Sequence, residues 1–352
     1  MNIDFDAEII AHLEQVRRLQ KPSGVFTASA HNVATGYDKA WLRDIYFMTL
    51  GFLETGEIEV VQKAAKALLG LFVKHADKIN WAIEHKPHET WQRIHARFHP
   101  ETFEEYWEEW GNSQNDAVGE VLNILVELEL RGTTVIETDD EKRVVQKIID
   151  YLVALEYWHD PDNGIWEENM EVHASSVGAC VAALKKATLI PWLSVPEDAI
   201  LFGESALRHL LPRESGSKFA DLALLSLIYP FDVTTESETL EILRNVEYHL
   251  TRDKGVIRYK LDRYYNQNTD GYSEEAEWCF GLSWLAIIYA ERNEKEKAFY
   301  YLRRAKLTVT PAGQIPELYY SHTDIPNDNT PLGWAESMYV VALQKVKEME
   351  LK

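Results

Sequence analysis

Apolar residues recur with helical spacing along almost the whole chain. The segment 57–76 shows this most clearly, because its apolar residues fall on one face of a helix. The segments 114–130, 235–250 and 331–348 repeat the pattern, and Thr235 with Glu238 forms a capping-box signature at the start of one of them. Period-two alternation is nowhere long enough to require a sheet, although Gly255–Lys260 suits a small hairpin. The pattern therefore predicts an all-α protein.

Less regular helical segments bring the predicted total to about twelve helices. They lie near 4–20, 40–55, 140–156, 173–188, 196–212, 217–229, 273–292 and 294–307. Without a Ser/Gly/Pro-rich linker or a low-complexity tract, we expect residues 1–352 to form a single domain. Antiparallel helix pairs of roughly 50–60 residues without a strict repeat favour a closed toroid of six hairpins over an open solenoid.

Four long irregular stretches separate these helices, and we expect them to gather at one end of the toroid, where function is usually located. They are Lys78–Tyr106, Trp158–Glu171, Asp253–Tyr272 and Thr310–Thr330. Two of them place a glutamate among aromatic residues, in the segments 164–168 and 313–320. Cleavage of a glycosidic bond needs two carboxylates, and aromatic faces pack well against sugar rings. Together with Trp41-Leu42-Arg43-Asp44, these segments predict a carbohydrate-active enzyme.

The formal net charge of −21 argues against several kinds of binding partner. So acidic a chain would repel nucleic acids and anionic membrane surfaces, whereas a neutral ligand such as a sugar is compatible with it. The histidines lack tight metal-ligand spacing, and no nucleotide-binding motif is present, so we expect neither a metal nor another cofactor.

The cysteines and the N-terminus predict a cytoplasmic location. Cys180 and Cys279 are too few for a disulfide framework, which favours a reducing compartment. The first six residues are acidic and lack an apolar run, unlike a signal peptide. No run of about 18 uncharged apolar residues offers a membrane span.

Five segments, in this order, resemble glycoside hydrolase family 15, the glucoamylase family. They also resemble the hydrolase-like N-terminal domain of the phosphorylase kinase alpha and beta subunits, and the resemblance runs from about Gly24 to Val346. The segments are 40–44, 110–116, 164–168 with 173–178, 277–278 preceded by Arg258-Tyr259, and 315–320 followed by 329–334.

The resemblance implies an (α/α)6 barrel that hydrolyses terminal α-glucosides with inversion. By motif, Glu167 would be the general acid and Glu317 the general base, with carboxyl groups about 6.5–9.5 Å apart. The implied substrate-binding residues are Trp41, Arg43, Asp44, Trp110, Gln114, Trp166, Glu168, Arg258 and Trp278. The acid must carry a proton near neutral pH, and we expect nearby Trp residues and the anionic Glu168 and Glu317 to favour that form.

Other interpretations of these residues stay open at this point. Arg43 and Asp44 could also be a solvent-exposed pair on a helix surface. Trp110 and Trp278 could be aromatic residues of the core, and Gln114 could lie at a helix N-terminus without any role in binding.

The motifs also leave the function itself open. Active hydrolases of the family usually have Gln at the position of Leu318. A Leu at this position is closer to the phosphorylase kinase version, and therefore to a regulatory, sugar-sensing domain. A terpenoid cyclase is disfavoured because the chain has no Asp-Asp-x-x-Asp run. The linkage (α-1,4, α-1,6 or trehalose), the substrate length and the oligomeric state do not follow from the sequence.

Overall fold

A computed structural model describes residues 3–30, 36–106, 110–266 and 274–351. These residues contain twelve α-helices, and eleven of them, together with one 3₁₀ helix, form two concentric rings. In chain order, α1 to α12 are Phe5–Arg17, Leu42–Thr55, Ile58–Lys74, Ala76–His85, Asn115–Leu130, Asp139–Leu155, Ala174–Ala187, Glu197–Leu210, Glu236–His249, Phe280–Glu291, Lys295–Lys306 and Gly333–Leu351. Four two-residue strands, β1 to β4, are Ala40–Trp41, Arg97–Phe98, Glu277–Trp278 and Leu318–Tyr319. The described residues therefore form a predominantly helical fold, as predicted.

The inner ring consists of α2, α5, α7, α10, α12 and the 3₁₀ helix Leu222–Leu227. These elements are buried on nearly every side; in α10, for example, every residue from Phe280 to Ala290 is buried. The outer ring, α1, α3, α6, α8, α9 and α11, buries a single face of each helix. Each inner element contacts the next, and α12 closes the ring against α2. The predicted toroid of six hairpins is confirmed.

Two helix predictions differ from the structure. The segment 217–229 contains only the 3₁₀ helix, because Asp221 caps it at the Ala223 N–H (2.8 Å) and Pro230 cannot continue a helix. Conversely, α4 occupies part of the stretch Lys78–Tyr106 that we expected to be irregular. Its buried stripe consists of only Ile79 and Ala82, which is too short for a periodicity argument.

The loops that enter the inner helices lie close together at one end of the toroid. Two antiparallel strand pairs join them, β1 with β2 and β3 with β4. Val256 pairs antiparallel with Thr251 across a turn closed by the Arg252 N–H to Gly255 carbonyl hydrogen bond (2.8 Å), so the Gly255–Lys260 segment begins in a minimal hairpin, as predicted. Val256 also bridges to Trp278. No helix within the described residues has both the length and the apolar composition that a membrane crossing needs.

Candidate active site

A cavity of about 810 Å³ opens where these loops meet, and ten of the eleven predicted site residues line it. They are Trp41, Arg43, Asp44, Trp110, Trp166, Glu167, Glu168, Arg258, Trp278 and Glu317. The eleventh, Gln114, lies directly behind the wall, with its Nε2 atom 3.3 Å from Glu167 Oε1. The structure therefore brings together side chains from segments more than 270 residues apart.

A tight turn presents Glu167 to the cavity. Gly164 and Glu167 both have positive φ values (61° and 56°), and the Glu167 N–H donates to the Gly164 carbonyl at 3.1 Å. A non-glycine residue in this conformation is strained, and such strain is typical of functional positions. The side chain is 23% exposed, and its Oε1 atom accepts a hydrogen bond from Arg43 Nη1 at 2.6 Å.

Three donors hold the neighbouring carboxylate, Glu168. Lys218 Nζ lies 2.6 Å from its Oε2 atom, while Arg258 Nη2 (3.1 Å) and the Tyr259 hydroxyl (2.7 Å) donate to Oε1. Two cations therefore offset the charge of Glu168. We expected Glu167 to lie among negative charges. Instead, cations offset the nearby carboxylate charge, and the charged group in direct contact with Glu167 is Arg43.

The second candidate carboxylate, Glu317, is completely buried. The Tyr37 hydroxyl donates to its Oε1 atom at 2.5 Å, and the amides of Asn327 and Asn329 donate to Oε2 at 2.5 and 2.7 Å. Burial raises the pKa of Glu317, and these three donors oppose the rise by stabilising the ionised form. Because Oε2 already accepts two hydrogen bonds and Oε1 only one, Oε1 is the oxygen that can accept a hydrogen bond from a further donor.

Arg43 and Asp44 lie in the first turn of α2 and are 5% and 1% exposed, so the solvated-pair interpretation is wrong. Arg43 Nη2 lies 3.2 Å from Asp44 Oδ2. Burial raises the pKa of Asp44 to about 6, although Arg43 acts in the opposite direction. Burial by itself would lower the pKa of Arg43, but the charges of Glu167 and Asp44 raise it. Arg43 is therefore a permanent cation beside the candidate acid.

Aromatic rings and guanidinium groups form the side walls. Trp41 and Trp110 pack with ring centroids 5.2 Å apart, and the Arg97 guanidinium lies 5.0 and 4.8 Å from them. On the other side, the Arg258 guanidinium lies 4.9 Å from the Trp278 ring. Trp110 and Trp278, for which core packing was the alternative, both line the cavity, and Trp278 also belongs to the hydrophobic core.

Asp262 fixes the orientation of Arg258 through two hydrogen bonds of 2.6 and 2.7 Å. Burial alone would lower the pKa of Arg258, but Asp262 raises it, so this guanidinium also remains charged. Fixed, charged guanidinium groups are suited to binding the hydroxyl groups of a sugar.

Several residues of the site were not among the predicted site residues, although Tyr259, Asn329 and Trp334 lie in segments that carry the family resemblance. The additional residues are Tyr37, Arg97, Lys218, Tyr259, Asp262, Tyr264, Asn327, Asn329 and Trp334. Asp262 follows Arg258 by four residues, and the two asparagines follow Glu317 by ten and twelve, so local polar patterns were available for these three. Tyr37 and Lys218 have no comparable signal in the sequence. Among the described residues, no group of three or more His, Cys, Asp and Glu side chains is placed to hold a metal ion.

The comparison with known proteins agrees with this geometry. The family model of glycosyl hydrolases family 15 matches residues 10–342. A probable phosphorylase b kinase regulatory subunit alpha from Caenorhabditis elegans is 27% identical over 283 residues, covering 66% of this chain and 23% of that protein. The chain thus spans about a quarter of the length of that relative.

Solved structures share the fold. A glycosidase in complex with glucose superimposes with a TM-score of 0.81 at 20% identity, covering 98% of this chain and 99% of the other. A bacterial glucoamylase complexed with acarbose gives a TM-score of 0.77 at 15% identity, covering 99% of this chain and 57% of the other.

Proposed function

Since the chain belongs to glycosyl hydrolases family 15, we propose that it is an inverting, exo-acting α-glucosidase. Its substrates would be malto- or isomalto-oligosaccharides, and its first product β-glucose. The observation that carries the proposal is the pair Glu167 and Glu317, two carboxylates that line one cavity in different surroundings. Inverting hydrolysis requires this division, because one group gives a proton while the other takes one from water.

Glu167 fits the role of general acid. Its carboxyl group is partly exposed to the cavity, so it can reach the glycosidic oxygen of a bound substrate. In the proposed step its proton passes to that oxygen as the bond to the anomeric carbon breaks. Arg43 Nη1 contacts the same carboxylate at 2.6 Å in the structure. We expect a bound sugar to take over this donor, since Arg43 also lies where a hydroxyl group would bind.

Glu317 fits the role of general base. It is buried and oriented by three donors, and its Oε1 atom, shared with the Tyr37 hydroxyl, is the position for an attacking water. The water oxygen bonds to the anomeric carbon, its proton passes to Glu317, and the leaving group departs with the proton from Glu167. Water and leaving group lie on opposite faces of the sugar ring, and inversion follows.

The cavity walls favour a terminal sugar. Asp44, Leu332 and Trp334, from inner helices or their entry loop, line the cavity and are almost fully buried, which supports a cavity that reaches into the toroid. A cavity that ends inside the toroid admits the end of an oligosaccharide, which supports exo action. Arg43 and Asp44 would bind its hydroxyl groups by charge-assisted hydrogen bonds. We further propose that the chain acts as one catalytic unit in the cytoplasm.

Proton NMR of the first minutes of hydrolysis tests the proposal. Maltose, isomaltose, trehalose and soluble starch are incubated separately with the protein, and the anomeric signals are followed before mutarotation. We expect β-glucose in excess from at least one substrate and none from the Glu317→Gln variant. An initial excess of α-glucose would contradict the inverting mechanism.

The similarity to phosphorylase kinase regulatory subunits favours a second candidate, a catalytically weak domain that binds a sugar for regulation. Calorimetry with glucose and maltose separates the two. Binding without hydrolysis of any of the four substrates would support the regulatory candidate.

A further inference from the structure

A buried hydrogen-bonded pair, His12 and Glu336, connects the outer ring to the loop that carries Glu317. His12 Nδ1, on outer helix α1, lies 2.5 Å from Glu336 Oε2, in the first turns of inner helix α12. The other carboxylate oxygen of Glu336, Oε1, accepts a hydrogen bond from the backbone N–H of Ile315 at 2.7 Å. His12 and Glu336 are 4% and 0% exposed.

The Ile315 N–H occupies a particular place in this loop. Pro316 follows it and has no N–H, so Ile315 provides the last backbone donor before Glu317 itself. The Glu317 N–H donates to the Asn329 carbonyl at 3.0 Å, and the Glu317 carbonyl accepts from the Cys279 N–H at 3.0 Å. The partners of the Glu317 N–H and carbonyl are backbone groups, whereas the partner of the Ile315 N–H is the side chain of Glu336.

Packing alone does not call for an acid at position 336. Burying a carboxylate is costly unless a charge and hydrogen bonds offset the cost, and here His12 and the Ile315 N–H do so. Burial raises the pKa of Glu336, while these two partners act in the opposite direction. The neighbours Ala335 and Met338 are fully buried and apolar. The contribution specific to Glu336 is therefore its hold on the loop.

We infer that Glu336, supported by His12, is a positioning residue for the general base. It fixes the backbone two residues before Glu317, so that the carboxylate stays in the geometry that activates water. The inference rests on the proposed function, since it assigns Glu336 an effect on that same reaction. A shift of about 1 Å in a reacting group lowers a rate by roughly 10²-fold.

Comparison of Glu336→Ala with Glu336→Gln tests this role. The Gln side chain retains a carbonyl oxygen for the Ile315 N–H, whereas Ala leaves that buried donor unpaired. We expect kcat on the best α-glucoside to fall about 10- to 100-fold in Glu336→Ala, with KM nearly unchanged, and less than about threefold in Glu336→Gln. His12→Ala should give an intermediate decrease, because Glu336 then loses its support.

Two control variants separate positioning from general destabilisation. Val346→Ala removes fully buried methyl groups ten residues further along α12 and far from the loop. His159→Ala removes a histidine from an exposed pair with Glu156. Both should keep the wild-type kcat per folded molecule. If Val346→Ala and Glu336→Ala lose melting temperature equally and also have equal kcat per folded molecule, the positioning role is overturned.

Hydrogen exchange keeps this test distinct from the proposed function. If the wild-type protein hydrolyses none of the substrates, the proposed function fails, and exchange in the segment 313–317 decides the positioning role. We expect exchange there to accelerate about tenfold or more in Glu336→Ala and to stay at the wild-type rate in Glu336→Gln and Val346→Ala. Unchanged exchange in Glu336→Ala would overturn the inference.

Discussion

Removal of one amide donor from Glu317 should move the acidic limb of the pH–rate profile to higher pH. Asn327 and Asn329 both donate to Oε2 of this buried carboxylate. A hydrogen bond to a charged group contributes about 1.5–3 kcal/mol, and a pKa difference of one corresponds to about 1.4 kcal/mol. Loss of one donor in Asn327→Ala or Asn329→Ala should therefore move the acidic limb upward by about one to two pH units.

The sign of the effect follows from the role of the base. In the proposed mechanism, Glu317 takes a proton from water only when its carboxyl group is ionised, and the amides of Asn327 and Asn329 favour the ionised form. Burial already raises its pKa above the ordinary value. With one donor removed, a larger fraction of the enzyme is protonated at any pH below the limb. At such a pH, kcat/KM should therefore fall about tenfold for every pH unit by which the limb moves.

α-Glucosyl fluoride is the best substrate for this assay, because fluoride leaves without a proton from the general acid. The pH dependence of kcat/KM on this substrate isolates the base. Asn169→Ala is the matched control, since Asn169 lines the same cavity but is exposed. An acidic limb at the wild-type position in both Asn327→Ala and Asn329→Ala would refute the reasoning.

Three further changes test other parts of the site. Glu167→Gln should lose activity on maltose by about 10²-fold or more but keep it on α-glucosyl fluoride, as stopped assays on both substrates will show. Asp44→Asn should lower kcat/KM by roughly 10- to 100-fold. Because the pKa of Asp44 is about 6 in the fold, ionisation of this buried carboxyl lowers the stability of the wild type as pH rises from about 4 to 6. In urea unfolding, the free energy of unfolding of Asp44→Asn relative to wild type should therefore be higher at pH 7.5 than at pH 4.5. Arg258→Lys should reduce kcat/KM about tenfold or more, since Lys cannot reproduce the two hydrogen bonds to Asp262 and the packing against Trp278.

The helices could be predicted from the sequence where one helix face repeats over several turns. The outer helix α3, with buried Val61, Ala64, Leu68 and Phe72, is an example. Inner helices are buried on nearly every side, so the periodic apolar stripe that indicated α5 and α12 accounts for only part of their buried surface. The failures at α4 and at Leu222–Leu227 concern short segments. The buried stripe of α4 is too short to show a period, and at Leu222–Leu227 the Asp221 cap and Pro230 outweigh helix propensity.

The site could be predicted as far as its residues lie in contiguous motifs. Glu167, Glu168 and Glu317 were found because aromatic neighbours and turn residues accompany them in the chain. Contacts between distant segments were not predictable in this way. Tyr37 contacts Glu317 across 280 positions, and Lys218 contacts Glu168 across 50. Nothing local in the sequence indicates such pairs, and they determine the electrostatic setting of each carboxylate.

The structure also bears on the choice between an enzyme and a sugar sensor. The departure from the hydrolase pattern at Leu318 lies in β4, fully buried and paired with Trp278, and this residue is not among those that line the cavity. Position 318 is therefore behind the reacting groups. Glu317 itself lies on the cavity, and burial of its carboxylate destabilises the fold relative to a neutral Gln. Hydrogen bonding to a sugar does not require an ionisable group there, whereas removing a proton from water does. The amides of Asn327 and Asn329 favour the ionised form of that group against the effect of burial, which supports the proposed role of Glu317 as general base.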